Sequence, residues 1–84
     1  MTPISIEKFA KDYVKTNPSE ELQDVISSLK EAVRHKKAGS QCLICGEPIW
    51  AIGSAIVGSL MCFTCITGSS DPSDDYEIDE VCSV

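Results

Sequence analysis

The apolar residues fall into two helical stripes followed by a long stretch without charge. Ile6, Phe9, Ala10, Tyr13 and Val14 recur at three- and four-residue steps, which places them on one face of a helix. They predict a helix from about Ser5 to Lys15, started by Thr2-Pro3 or Ser5. Leu22, Val25, Ile26, Leu29, Ala32 and Val33 form a second stripe and predict a helix from about Pro18 to Lys37. Asn17 as cap, Pro18 at the first helical position and Glu20 reaching back make its start. Glu20, Glu21 and Asp24 precede Arg34, His35, Lys36 and Lys37, an order that complements the helix dipole. Ala38-Gly39-Ser40 is the stop, with Gly39 suited to a left-handed cap. The short Thr16-Asn17 connection predicts an antiparallel helical hairpin over residues 5–37.

From Pro48 to Ser70 no residue is charged. Ile49 to Ile52 and Ala55 to Val57 read as short strands, with Gly53-Ser54 or Gly58-Ser59 as turns. Trp50 is expected to pack this hairpin onto the helices. The same run is long enough to be weighed as a membrane span. Pro48, the repeated Gly-Ser pairs, and the cysteines at metal spacing argue against that reading.

Those cysteines give the chain its candidate chemistry. Cys42-Leu43-Ile44-Cys45 is answered by Cys62-Phe63-Thr64-Cys65, and two Cys-x-x-Cys pairs at such a separation fit a four-cysteine metal site. Zinc accepts four thiolates tetrahedrally at about 2.3 Å and stays redox-inert. Tetrahedral thiolate sites also accept iron, so one Zn²⁺ per chain is the expectation and iron the alternative. Two disulfides or two buried cysteine pairs would be the purely structural use. No basic and apolar leader opens the sequence, and paired cysteines without one point to a reducing cytoplasm and to metal.

The motif Cys-Leu-Ile-Cys-Gly followed by Cys-Phe-Thr-Cys resembles the zinc-ribbon family over about residues 41–67. The resemblance implies a β-hairpin between two zinc knuckles, with Cys42, Cys45, Cys62 and Cys65 as ligands. Gly46 matches the usual knuckle, whereas Ile66 stands where glycine is common. Rubredoxin-like iron proteins share two such knuckles but add Pro and Gly to the second. A treble clef would instead start a helix at the second pair, against which Gly68 soon after it counts. The expected fold is therefore α+β: a helical hairpin, then a zinc ribbon, together one domain over residues 1–68.

Charge separates the two halves of the 84-residue chain. The seven Lys and Arg all lie between Lys8 and Lys37, whereas Cys42 onward holds seven acids and no Lys or Arg. Four thiolates with one Zn²⁺ would add about −2 there. Such a surface disfavours a phosphate backbone, which needs Lys and Arg. Residues 69–84, with six acids between Asp71 and Glu80, read as a turn and a flexible acidic tail, in which Asp71 can cap one turn. Arg34 to Lys37 read as a solvated helix end. His35 is surplus to a closed four-cysteine site. Cys82, beside Asp79 and Glu80, reads as an inert thiol.

No acid/base pair, second histidine or phosphate-binding Gly-Lys loop occurs, and a four-thiolate metal has no open position, so catalysis is not expected. A small core near balance with chain entropy needs a staple, and the metal would be it. The expected role is a zinc-binding module contacting another protein, for which a basic face is the charge-matched candidate. The competing roles are an iron electron carrier, a nucleic-acid-binding ribbon resting on Lys30 to Lys37, and a precursor of a modified or membrane-active peptide whose helical leader ends near Gly39.

Overall fold

The computed structural model describes residues 1–71 and 73–82. Pro72 of the expected turn, and Ser83 and Val84 of the expected tail, lie outside the described residues. The fold joins a helical hairpin, two short helices and a two-stranded parallel sheet: β1 (Thr2–Ile4), α1 (Ile6–Thr16), α2 (Leu22–Lys37), α3 (Ala51–Val57), α4 (Phe63–Thr67) and β2 (Tyr76–Ile78).

The hairpin of α1 and α2 forms as the stripes predict. Ser5 caps α1 by accepting the Lys8 N–H at 3.1 Å. The start of α2 differs from expectation. Asn17 closes α1 instead, donating its side-chain amide to the Tyr13 carbonyl at 2.9 Å, while its own carbonyl accepts the Glu20 N–H at 3.0 Å. Pro18 to Glu20 are thus consumed in a connecting turn, and α2 begins at Leu22.

Where two strands were expected, the chain forms α3. The apolar run Ile49 to Val57 carries no polar alternation, so its period is not readable from the pattern. Packing decides it. Ala51 and Ile52 are buried with Leu29, Ala32 and Val33 of α2, and the helix presents both to one face. Gly53 and Ser54, expected as a turn, lie inside the helix and are buried. A Cβ on Gly53 would sit 2.4 Å from the Trp50 ring and 2.5 Å from the Ile66 methyl, so the glycine provides close approach rather than a turn. Ser54 Oγ donates to the Met61 carbonyl at 3.0 Å and accepts the Met61 N–H at 3.1 Å. A zinc-ribbon hairpin is therefore not what joins the two cysteine pairs.

The acidic C-terminal segment also departs from expectation. Asp71 accepts the Ser73 N–H at 3.0 Å in a local turn. β2 then pairs in parallel with β1, placing Tyr76 opposite Thr2, Glu77 opposite Pro3 and Ile78 opposite Ile4. Ile78 is fully buried in the main core with Ala10, Leu29, Ala32, Val33, Ala51 and Ile52. A single 3₁₀ turn, Asp79–Val81, follows. Two ion pairs reach the docked segment: Lys36 with the buried Glu77 at 2.7 Å, and Lys37 with the exposed Glu80 at 2.9 Å, a surface pair that contributes little to its stability. The basic end of α2, expected to be solvated, receives this chain's own acids.

No helix among the described residues is long and apolar enough to cross a membrane.

Candidate metal centre

Each cysteine pair is placed by a different device. Cys42 and Cys45 occupy a tight turn between Gln41 and Pro48, which form an isolated antiparallel bridge. Across this turn the Cys42 N–H donates to the Glu47 carbonyl at 2.6 Å and the Gly46 N–H to the Cys42 carbonyl at 3.0 Å. Gly46 has φ +78°, a left-handed conformation costly for residues with a Cβ. Within the turn the Ile44 N–H donates to Cys42 Sγ at 3.4 Å.

The second pair sits at the start of a helix. Cys62 is the N-cap of α4, its Sγ accepting the Cys65 N–H at 3.4 Å, and Cys65 lies in the first turn. The first pair thus lies in a turn and the second at a helix start. Gly68, at φ +78°, closes the short helix as its left-handed cap. The segment between the pairs is α3 rather than a hairpin. A backbone bond from the Leu43 N–H to the Leu60 carbonyl at 3.0 Å draws knuckle and second pair together.

The four sulfurs of Cys42, Cys45, Cys62 and Cys65 consequently lie within 4.8 Å of one another. Metal–sulfur bonds of about 2.3 Å imply sulfurs roughly 3.8 Å apart in a tetrahedron, so the cluster is of a size that holds one ion. Cys42 and Cys62 are buried, whereas Cys45 is exposed and Cys65 half-buried. Each pair thus contributes one buried and one more accessible sulfur. It can hold a metal ion as a four-sulfur structural site.

The acidity of the thiols fits a cation acceptor. At Cys42 burial opposes the thiolate, but the backbone N–H groups of Cys45, Cys62 and Ile44 outweigh it and bring its pKa down to about 6. Hydrogen bonds with the Cys62, Cys42 and Cys45 thiols push Cys65 far up. At Cys45 a backbone donor at Glu47 favours the thiolate, but the Cys62 thiol and burial win and the pKa rises. Four sulfurs this close cannot all ionise without a compensating charge, and a divalent cation supplies it.

Trp50, expected to pack a hairpin, instead backs the site as an aromatic wall at the start of α3. Its ring meets Phe63 edge-on, with centroids 4.9 Å apart, and Phe63 lies between the two cysteines of the second pair. The Trp50 N–H donates to the Met61 carbonyl at 2.9 Å, and its indole N–H donates to the Tyr76 carbonyl at 2.8 Å. Ser54, Gly53 and Glu77, which complete this scaffold, carry no sequence signal of it. His35 is not among the four clustered ligands; its Nε2 faces Glu31 at 3.2 Å. Cys82 is likewise remote from the cluster, its Sγ 3.6 Å from the Met1 carbonyl.

Comparison with known proteins finds no family model, no curated protein and no solved structure that matches this chain.

Proposed function

We propose that the protein is a small cytoplasmic zinc-binding module in which Cys42, Cys45, Cys62 and Cys65 hold one Zn²⁺ structurally, and that it acts through contacts with another protein. The observation that carries this reading is the convergence of two separately built Cys-x-x-Cys turns on one point. Disulfide pairing would need no such fourfold cluster. Zinc suits the site because four thiolates complete its coordination without a redox change.

A full four-sulfur shell leaves no position for water or substrate, which supports a non-enzymatic role. Contact with a partner is supported by the knuckle itself. Leu43 and Ile44, between the two ligands of the first pair, are 74% and 70% exposed. Two adjacent large aliphatic side chains held outward by one rigid turn are of the kind found at the centre of docking surfaces. The excess of acids over bases beyond Cys42 favours a partner with a basic face. Nucleic acid is disfavoured for the same reason, the more so because Lys36 and Lys37 are paired with acids of this chain.

Metal content and a visible spectrum of protein purified without added metal test the reading. One zinc per chain without colour is expected. A red protein with stoichiometric iron would instead give electron transfer first place.

A further inference from the structure

The C-terminal segment and the cysteine cluster share one structural partner, Trp50 with the two residues after it. On one side Trp50 packs on Phe63 of α4 and bonds to Met61, immediately before Cys62. On the other, its indole bonds to Tyr76 of β2. The next two backbone N–H groups, of Ala51 and Ile52, are unmatched by any side-chain cap of their own. They donate to the Glu77 carboxylate at 2.8 and 3.3 Å. Glu77 is 1% exposed and also accepts the Lys36 ammonium at 2.7 Å and the Ile78 N–H at 2.9 Å.

We infer that residues 73–82 form a strap whose docking is linked to metal occupancy of the cysteine cluster, so that loss of the metal frees the strap and uncovers Lys36. The inference rests on the metal-binding reading above. α4 is five residues long, too short to persist as a helix without tertiary support. Without an ion the four thiols no longer hold it, and Phe63 and the Met61 bond cease to fix Trp50. Once Trp50 and the start of α3 shift, the buried Glu77 loses two of its donors. A buried carboxylate left partly unpaired is costly, whereas the same group in water is not. Release of the strap as a unit is the outcome of lower energy. Ile78 leaves the core with the strap, while the α1–α2 hairpin remains packed through Ala10, Leu29, Ala32 and Val33.

Linkage is reciprocal: whatever factor the metal contributes to docking of the strap, a docked strap contributes to metal binding, so undocking it weakens the metal. The test uses the full chain loaded with one equivalent of Zn²⁺. Hydrogen exchange over residues 76–81 should quicken at least about tenfold on adding EDTA, a coupling of ordinary size, while α1 and α2 keep their protection. Acetylation of Lys36, only 20% exposed at its side chain, should rise in parallel. Exchange that is equal with and without zinc would overturn the inference. So would loss of protection in α1, α2 and the strap together, which describes global unfolding. In the reverse direction, Glu77→Gln should weaken zinc binding at least about tenfold in competition with a chromophoric chelator. Glu80→Gln, at an exposed pair, should leave it unchanged. Equal affinities in all three chains would also overturn the inference. A wild-type chain that takes up no zinc from solution would instead refute the underlying metal reading, which zinc titration shows before either experiment.

Discussion

Glu77 and Lys36 meet 2.7 Å apart although 41 residues separate them, and the same carboxylate caps the start of α3 through Ala51 and Ile52. One acidic side chain thus ties the last strand to the basic end of the longest helix and to the element that backs the cysteine cluster. Removing one partner of a buried ion pair costs about 3–5 kcal/mol. Glu77→Ala should therefore lower the urea midpoint by far more than Glu80→Ala, whose partner pair is half exposed. Equal losses would show that the buried pair contributes no more than the surface one.

Gly53 presents the opposite case, a residue that stabilises by being absent. In an open helix Gly→Ala gains about 1 kcal/mol. Here the added methyl would lie 2.4 Å from the Trp50 ring, which is itself held between Phe63 and the Tyr76 carbonyl. Overpacking of this kind costs about 1–3 kcal/mol, so Gly53→Ala should lower the melting temperature. A raised melting temperature would mean that Trp50 is free to move.

These two residues show where the sequence was legible. The α1 and α2 stripes alternate apolar and polar faces, so their period could be read directly, and the cysteine spacing marked the cluster. Ile49 to Val57 is uncharged and shows no apolar–polar alternation, leaving β-branched residues and Gly-Ser pairs to suggest strands. Burial of Ala51 and Ile52 against α2 overrode that local preference. Glu77 read as one more solvated acid because its partners, Lys36 and two helix-start N–H groups, lie 41 and about 25 residues away. Pro18 carried a genuine helix-start signal, but Asn17 was already committed to closing α1.

Leu43 and Ile44 separate a contact role from a packing role. Both lie outside the core, so Leu43→Ser with Ile44→Ser should leave the urea midpoint equivalent within about 0.5 kcal/mol and retain the metal. A larger loss, measured by the same denaturation, would mean that these side chains support the knuckle itself.

The thiol acidities give a pH signature. Cys42 has a pKa brought down to about 6 from 9.0, so at pH 7 it is already mostly ionised in the metal-free chain. Metal loading at pH 7 should therefore release at most about three protons, each from a thiol that must become a thiolate. Below pH 6 Cys42 is protonated too, the count approaches four, and affinity falls more steeply with acidification. Calorimetry in buffers of different ionisation enthalpy measures the count directly. Four protons at pH 7 would show that Cys42 has an ordinary acidity.

Metal content of the full chain and of Cys62→Ser, each purified without added metal, is the most direct test of the central claim. Serine can still accept the Cys65 N–H that caps α4, so this variant removes the ligand while leaving the cap chemistry in place. The account predicts one zinc per wild-type chain, no visible colour, and no retained metal in Cys62→Ser. A folded wild-type chain with four free thiols and no metal, or a variant that keeps its full complement, would contradict it.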